Sequence, residues 1–325
     1  MRSGFRSMTL PVTPRLAFSE LPVIDLEPLL QDPRNRPCIG ALDRACRDPG
    51  FFYVKNHGVE SGLVDALYRQ AKLFFARPQE EKNRVMIDAC MRGYLPPGYR
   101  SYEGEARAGT SHQEGFWIGH ERQDHPDHPL EGPNQWPGEH LELKSAMLAY
   151  LQAVEGLSRV LARAFASALG LGPGDLIPLF DNPTSRLKLN HYPPQDNPAK
   201  ENEIGVVPHC DSGAFTILWQ DHHGGLEIQK KDGHWAGAPP VEGTFVVNLG
   251  HIMQVWSNHR FSSTPHRVIN RGGNDRYSIP FFVNPNPMVR IRPLVPDGAA
   301  SSGSFMYGEY QLDQWRRTFP IANIP

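Results

Sequence analysis

Several features that would indicate a particular class of protein are missing from this sequence. Its 33 lysines and arginines nearly balance 35 aspartates and glutamates, and it has no basic run, so no general attraction to nucleic acid or to a membrane surface is expected. No apolar stretch approaches the roughly 20 residues of a membrane-spanning helix. The four cysteines form no Cys-x-x-Cys pair, which argues against a zinc knuckle or a disulfide framework. We therefore expect a cytoplasmic protein without an obligate protein partner.

Glycine and proline, in contrast, are abundant, with 30 and 31 residues, and they separate many short segments. The longest helical pattern runs from Leu141 to Leu169. From Arg186 onward the segments shorten to strand length, beginning with Arg186 to Tyr192. Residues Arg92 to Trp136 have no clear periodicity and are interpreted as a lid-like loop. The pattern predicts helices first and then a β sandwich or barrel of the jelly-roll kind.

One short motif, His209-Cys210-Asp211, places an imidazole and a carboxylate two residues apart. On a strand, positions i and i+2 share a face, so His209 and Asp211 are expected to project together and Cys210 away from them. Alone, the motif is weak, because His125-Pro126-Asp127 has the same spacing in the irregular region.

Two later features strengthen the motif. His266 opens another β-like run 55 residues after Asp211 and could supply a third ligand. Two histidines and one carboxylate on one side of an ion form the ligand set of Fe(II) oxygenases. Arg276 and Ser278 stand i and i+2 on a predicted strand, and a guanidinium with a hydroxyl can bind a carboxylate.

These motifs occur in an order that resembles the isopenicillin N synthase-like family of iron- and 2-oxoglutarate-dependent oxygenases. The resemblance covers roughly Leu21 to Val289. The segments that carry it are Leu21 to Leu26, Gly50 to Val59, Arg92-Gly93-Tyr94, Asn190 to Pro194, His209-Cys210-Asp211, Gly224 to Ile228, Ser263 to Val268 and Arg276 to Phe282.

The resemblance implies an α+β fold with a mainly β core, a double-stranded β-helix with an N-terminal helical region and flanking helices. It also implies regions with these boundaries: a lead-in (1–20), an N-terminal non-haem dioxygenase region with the lid-like loop (21–135), a long helix and connector (136–183), the jelly-roll core (184–290) and a C-terminal segment (291–325).

By the same resemblance, His209, Asp211 and His266 match the Fe(II) ligands. Arg276 and Ser278 match the pair that binds the distal carboxylate of 2-oxoglutarate, and Tyr192 and Asn190 are further co-substrate contacts. The implied activity is that of an oxidoreductase of secondary metabolism. It uses O2 and 2-oxoglutarate, releases succinate and CO2, and oxidises a small molecule, most simply by hydroxylation, with desaturation or cyclisation also open.

For the substrate pocket, Phe282 matches an aromatic position that lines it in the family. Arg100, Tyr102, Glu114 and Phe116 are further candidates, because they lie in the lid-like region. Two residues depart from the family pattern. Cys210 replaces the usual threonine and is expected to be buried, and Ser212 replaces the usual aromatic residue at the edge of the site.

Three alternatives to this function are left open by the sequence. An isopenicillin N synthase-type Fe(II) oxidase would use Arg276 and Ser278 for a substrate carboxylate and would not consume 2-oxoglutarate. A hydrolase could hold zinc at the same three ligands. A non-catalytic binding protein could retain the scaffold.

Overall fold

The computed structural model describes residues 21–98, 111–121, 128–138, 141–194, 205–270, 273–296 and 303–319. The strands are β1 (Val23–Asp25), β2 (Phe51–Lys55), β3 (Gly93–Leu95), β4 (Glu114–Gly119), β5 (Arg186–Tyr192), β6 (Val206–His209), β7 (Phe215–Gln220), β8 (Leu226–Gln229), β9 (Trp235–Gly237), β10 (Thr244–Leu249), β11 (His266–Val268), β12 (Arg276–Val283), β13 (Arg290–Ile291) and β14 (Phe305–Met306). The helices are α1 (Glu27–Gln31), α2 (Arg36–Arg47), α3 (Ser61–Phe75), α4 (Gln79–Asn83), α5 (Leu141–Ala168), α6 (His251–Trp256) and α7 (Tyr307–Thr318), with a 3-10 helix at Ile177–Phe180.

Two sheets form the core. The larger has the strand order β1-β2-β10-β7-β12-β5-β4-β3, and the smaller has the order β6-β11-β8-β9. Their strands pair antiparallel except β1 with β2. Phe51 and Tyr192 of the larger sheet belong to the same buried apolar cluster as Val206 and Val268 of the smaller. The sheets therefore face each other, and the expected double-stranded β-helix is confirmed.

Helices cover the face of the larger sheet that the smaller sheet leaves open. On β2, Phe52 and Val54 belong to the main apolar cluster with α2, α3 and α5, whereas Phe51 and Tyr53 belong to the cluster between the sheets. A strand that is buried on both faces has little polar alternation. This is why the sequence of β2 is a continuous apolar run.

Helix α5 and strand β5 confirm two predictions of the periodicity. The helical pattern over Leu141 to Leu169 forms α5, and the strand predicted from Arg186 to Tyr192 forms β5 with the same bounds. The pattern did not predict β9, α6 or α7, which are short or carry polar residues among their apolar ones.

The interpretation of residues 92 to 136 as an irregular loop is wrong in part. Strands β3 and β4 lie there and continue the larger sheet beyond β5. All six residues of β4 are buried, so the strand has no polar alternation that would reveal it. The N-terminal region and the jelly-roll core therefore share one sheet.

None of the helices in the described ranges combines the length and the apolar character needed to cross a bilayer.

Candidate metal centre and active-site cavity

Two histidines and one carboxylate meet where β6 ends and β11 begins. His209, the last residue of β6, lies opposite His266, the first residue of β11. The Oδ1 atom of Asp211 lies 3.7 Å from Nε2 of His209 and 3.8 Å from Nε2 of His266. The three ligand atoms all lie within 4.8 Å of one another. With bonds of about 2 Å, one ion can contact all three.

The backbone around Asp211 differs from the expectation. Strand β6 ends at His209, so Asp211 lies in the following loop and the shared strand face does not position it. Its carbonyl oxygen accepts a hydrogen bond of 2.8 Å from the backbone N–H of His251, at the start of α6. A Cβ atom on Gly250 would lie only 2.9 Å from that carbonyl oxygen and 2.3 Å from the carbonyl oxygen of Gly213. A glycine is therefore needed for α6 to begin so close to Asp211.

Backbone carbonyls orient the two imidazole rings. Nδ1 of His209 lies 2.9 Å from the carbonyl oxygen of Val207, and Nδ1 of His266 lies 3.2 Å from that of Thr264. Because a carbonyl oxygen only accepts, each Nδ1 must carry the proton. Each Nε2 therefore presents its lone pair toward Asp211, which is the tautomer that a metal ligand needs.

The two carboxylate oxygens of Asp211 have different surroundings. Oδ2 accepts hydrogen bonds from the Thr216 hydroxyl at 2.6 Å and from the Asn248 amide at 2.7 Å, while Oδ1 faces the histidines. Burial acts to raise the pKa of Asp211, but its electrostatic interactions with His266 and His209 and the two hydrogen bonds outweigh it and lower the pKa. The carboxylate is thus held as an anion with one oxygen available for a cation.

This donor set fits Fe(II). Two imidazole nitrogens and one carboxylate oxygen occupy one side of the cluster, and the cavity between the sheets lies on another. A site of this composition with open positions is typical of non-haem iron oxygenases.

Farther along the same cavity lies a buried guanidinium. Arg276 is 1% exposed; its Nε donates to the carbonyl oxygen of Gly224 and its Nη2 donates to Oε1 of Gln220 at 3.2 Å. Its Nη1 finds no hydrogen-bond partner among the described residues. A buried cationic donor without a partner is costly. An anionic ligand beside Arg276 would remove that cost.

Three residues beside Arg276 complete a site that could bind a carboxylate. Strands β5 and β12 place Tyr192 opposite Arg276 and Asn190 opposite Ser278. The guanidinium carbon lies 4.6 Å from the centre of the Tyr192 ring, and Nδ2 of Asn190 donates to the Ser278 hydroxyl oxygen at 3.2 Å. Within the part of the chain that the structure describes, Oδ1 of Asn190 has no partner. These four residues thus surround one end of the cavity, where the 2-oxoglutarate carboxylate is expected.

The cavity lies between the two sheets and connects the metal ligands with Arg276. The residues that line it are Phe51, Gln113, Lys188, Asn190, Tyr192, Val206, His209, Asp211, Thr216, Leu218, Leu226, Asn248, His266, Val268, Arg276, Ser278, Pro280 and Phe282. Every metal and co-substrate residue predicted from the sequence therefore lines one cavity.

The predicted substrate-pocket residues are more scattered. Phe282 lines the cavity. Ser212 is not among the residues that line the cavity, and its hydroxyl donates a hydrogen bond of 3.1 Å to Oε1 of Gln311 on α7. Arg100 and Tyr102 lie outside the described residues. Cys210, expected to be buried, is exposed, because it follows the end of β6 instead of pointing into a sheet interface.

Glu114 and Phe116 require a correction. They lie on the face of β4 that is turned away from the cavity, because β4 pairs them with His191 and Leu189, the outward residues of β5. Phe116 packs in the main apolar cluster, where its ring centre lies 4.8 Å from that of Phe74. The inward positions of β4 are instead Gly115 and Trp117.

Glu114 belongs to a buried polar network on that outer face. Its Oε2 accepts from Lys82 at 2.7 Å and from the Tyr94 hydroxyl, and its Oε1 lies 2.7 Å from Nδ1 of His191. Nε2 of His191 lies 2.6 Å from Oδ1 of Asp275. This network joins β4, β5 and the start of β12 behind the residues that face the cavity.

Sequence reasoning missed four polar residues of the cavity: Thr216, Asn248, Gln113 and Lys188. Thr216 and Asn248 interrupt the apolar runs 215–219 of β7 and 245–249 of β10 at inward positions, a signal that could have singled them out. Lys188 and Gln113 could have been found only from the pairing of β4 with β5, which joins segments about 75 residues apart.

Two family models match this chain. One is described as the N-terminal region of the non-haem dioxygenase in morphine synthesis and matches residues 21–139. The other is the 2OG-Fe(II) oxygenase superfamily and matches residues 183–285.

Relatives with similar sequences span most of the chain. The 2-oxoglutarate-dependent dioxygenase citB of Monascus ruber is 35% identical over 307 residues, covering 88% of this chain and 90% of the relative. A homoarginine-6-hydroxylase of Arabidopsis thaliana is 35% identical over 298 residues, covering 85% and 80%. The crystal structure of a full-length Neurospora crassa protein in complex with alpha-KG and thymine has a TM-score of 0.79 at 27% identity, covering 90% of this chain and 96% of that chain.

Proposed function

Because this chain belongs to the 2OG-Fe(II) oxygenase superfamily and is a 2-oxoglutarate-dependent dioxygenase, we propose which of its residues carry that activity. His209, Asp211 and His266 hold Fe(II). Arg276 and Ser278 hold the distal carboxylate of 2-oxoglutarate, with Asn190 and Tyr192 beside them. The product is a hydroxylated small molecule, released together with succinate and CO2.

A single observation carries this assignment: the cavity has the three-ligand cluster at one place and, at another, a buried guanidinium nitrogen that no described residue pairs with. A short dicarboxylate with a keto group is the ligand that these two features accommodate together. Its keto acid end chelates a metal, and its distal carboxylate accepts from Arg276.

When bound, iron, 2-oxoglutarate and O2 supply the oxidising chemistry, and the chain supplies orientation and surroundings. Asp211 stays anionic, and the backbone carbonyls of Val207 and Thr264 hold both Nε2 atoms toward the ion. Leu218 and Pro280 add apolar surface to the lining of the cavity, and apolar surface disfavours water. Exclusion of water protects a strong oxidant from side reactions.

The substrate is proposed to be a small organic molecule that enters beside Phe282. The relatives do not define it, because one is named for homoarginine and another has been crystallised with thymine. Desaturation or cyclisation would use the same residues. The Monascus relative is named a 2-oxoglutarate-dependent dioxygenase and the Neurospora protein was crystallised with alpha-KG, so these two do not favour an oxidase that needs no 2-oxoglutarate.

We also propose a reducing cytoplasmic location, supported by the free thiols of Cys38, Cys46, Cys90 and Cys210. The regional boundaries 1–20, 21–135, 136–183, 184–290 and 291–325 remain proposals, as does a place in secondary metabolism.

The decisive experiment compares Arg276→Leu with the wild type and with Arg69→Leu, which removes an arginine from α3, outside the cavity. Anaerobic protein is loaded with Fe(II), and 2-oxoglutarate is titrated while the visible charge-transfer absorption of its iron chelate is followed. We expect Arg276→Leu to weaken 2-oxoglutarate about 10- to 100-fold, the loss of a charged hydrogen-bonding group. The control should match the wild type.

The same samples are then exposed to air, and succinate is measured. Wild-type protein should release succinate only with Fe(II) and 2-oxoglutarate both present. Equal 2-oxoglutarate affinity in Arg276→Leu and in the wild type would contradict the assigned co-substrate site.

A further inference from the structure

The loop between β6 and β7 carries Asp211, and helix α6 holds its backbone. The backbone N–H of His251 donates to the carbonyl oxygen of Asp211 at 2.8 Å, and that of Ile252 donates to the carbonyl oxygen of Gly213 at 3.0 Å. Both bonds are made to main-chain atoms. The side chain of Ser212, which lies between the two bonded residues, contacts a different helix.

That helix is α7. The hydroxyl of Ser212 donates a hydrogen bond of 3.1 Å to Oε1 of Gln311. The same oxygen accepts from the hydroxyl of Tyr307, one turn earlier on α7, at 2.7 Å. Gln311 is 2% exposed and Tyr307 is fully buried, so bulk water has little access to these bonds. The Gln311 amide is therefore oriented by its own helix and in turn holds the residue next to Asp211.

A second contact joins α7 to the support of the loop. The ring centre of His251, whose N–H holds Asp211, lies 5.6 Å from the ring centre of Tyr310 on α7. It also lies 6.5 Å from the ring centre of Phe305, which belongs to β14 just before α7. Both distances are those of rings in contact. Helix α7 thus contacts the loop directly through Ser212 and indirectly through the first residue of α6.

The contact with α7 comes from outside the segment that contains the metal motif. The superfamily model matches residues 183–285, which include His209, Asp211 and His266 but not α7. Groups that orient a metal ligand without touching the ion change the affinity for the metal. The geometry around Asp211 therefore depends on a residue that the motif does not contain.

We propose that Gln311 is a positioning residue of the metal centre, an inference that rests on the function proposed above. It acts through Ser212, because its hydrogen bond fixes the backbone beside Asp211. Without that bond the loop keeps its contacts with α6 but samples more conformations. Fe(II) must then select the fraction of molecules in which Asp211 is correctly presented, and the apparent affinity falls by that fraction.

The test measures the Fe(II) affinity of the anaerobic protein, without 2-oxoglutarate, by competition with a chromophoric chelator. Gln311→Leu removes the acceptor of the bond, and Ser212→Ala removes its donor. We expect each change to weaken Fe(II) binding about 3- to 10-fold, the scale of one neutral hydrogen bond. The double variant should bind Fe(II) within about twofold of the weaker single variant, because both changes remove the same bond.

Two further variants are controls. Ser212→Thr keeps a hydroxyl and should bind Fe(II) within about twofold of the wild type. Gln314→Leu makes the same substitution one turn farther along α7, at a partly buried position, and should leave the affinity unchanged. Urea denaturation of the metal-free proteins measures the free energy of unfolding separately, so a loss of Fe(II) affinity is distinguished from a loss of stability.

Three results would overturn the inference. They are a wild-type Fe(II) affinity in Gln311→Leu, additive losses in the double variant, and a loss in Ser212→Thr as large as that in Ser212→Ala. The proposed function fails differently. In that case the wild type itself binds no Fe(II), or its Fe(II) form shows no chelate absorption with 2-oxoglutarate.

Discussion

Buried polar residues on the two faces of the larger sheet differ in whether the chain supplies their hydrogen-bond partners. Strand β5 shows both: His191 points to the helices, whereas Asn190 and Tyr192 point to the cavity. On the helical face, both ring nitrogens of His191 lie within 2.7 Å of a carboxylate oxygen, from Glu114 and Asp275. On the cavity face, no described residue pairs with the amide oxygen of Asn190.

The same difference extends to the neighbouring strands. Outward Glu114 has partners on both carboxylate oxygens, whereas inward Arg276 and Gln113 keep buried polar atoms that lack partners in the described part of the chain. A buried polar group costs free energy unless it is hydrogen-bonded. We infer that the Glu114 network on the helical face is complete in the protein chain alone and that the unpaired groups of the cavity face are completed by ligands. Four measurements can test this distinction.

The largest effect is expected for Asp211→Asn on the cavity face. The change removes the negative charge between the two histidines and leaves the shape nearly intact, so Fe(II) loses an anionic ligand. We expect succinate formation to fall by more than about 100-fold, the upper figure for losing an outer contact of a metal ligand. The fold should persist, as judged by circular dichroism. If Asp211→Asn forms succinate at nearly the wild-type rate, the assignment of Asp211 as an iron ligand is contradicted.

Next in size is Glu114→Ala on the helical face. It leaves Lys82 and His191 buried without their shared carboxylate, which should lower the free energy of unfolding by about 3–5 kcal/mol. The measurement is urea denaturation of the metal-free protein. Its matched control is Glu81→Ala, which breaks the partly exposed Arg77–Glu81 pair on the surface and should cost less than about 1 kcal/mol. Equal losses of unfolding free energy in both variants would show that the outer network stabilises the protein no more than a surface ion pair does.

A smaller effect is expected for Thr216→Val, which removes the hydroxyl that donates to Oδ2 of Asp211. The carboxylate then loses one of the two bonds that orient it, so Fe(II) affinity should fall about 10- to 100-fold. Anaerobic metal titration measures this. The comparison variant Thr244→Val removes a hydroxyl that donates to the carbonyl oxygen of Val241, away from the metal ligands, and should leave iron affinity unchanged. A similar loss in both would argue against an orienting role for Thr216.

The smallest effect is a pH dependence of the helical-face network. Burial acts to raise the pKa of Glu114, but hydrogen bonds from His191, Lys82 and Tyr94 outweigh it and hold the pKa below its usual 4.5. A depressed carboxylate pKa contributes stability that is complete above the unfolded value and is lost as the pH falls through the folded value. The stability difference between wild type and Glu114→Gln should therefore be constant near neutral pH and shrink below about pH 4.5. Urea denaturation of both proteins across this pH range measures the difference. A stability difference that grows at acid pH would contradict the lowered pKa of Glu114.

Much of the candidate site could be predicted from local sequence patterns. The spacing of His209, Asp211 and His266 and the pair Arg276 and Ser278 pointed to a metal and a carboxylate. All five line one cavity. Local patterns sufficed here because each residue lies within, opens, ends or closely follows a strand, where the change of periodicity marks it.

Other parts could not be predicted, for physical reasons. Glu114 and Phe116 were assigned to the substrate pocket because they lie in the segment interpreted as a lid-like loop. The sequence could not correct this, because β4 is buried on both faces and has no alternation to show which side chains point inward. Asp211 was placed on a strand that in fact ends two residues earlier, and its contact with α6 depends on Gly250, 39 residues farther along the chain.

The sequence by itself determined the class of fold, the chemical types at the metal centre and their order along the chain, because strand periodicity and ligand chemistry are local properties. Only the tertiary structure decided which buried polar atoms have partners. That is a property of strand register and of packing between distant segments: Lys188 can cross β4 because the residue opposite Asn190 is Gly115, and Gln113 faces the cavity because β4 pairs with β5. That register separates the outer network around Glu114, which is paired within the chain, from the cavity atoms of Arg276 and Asn190, which no described residue pairs with.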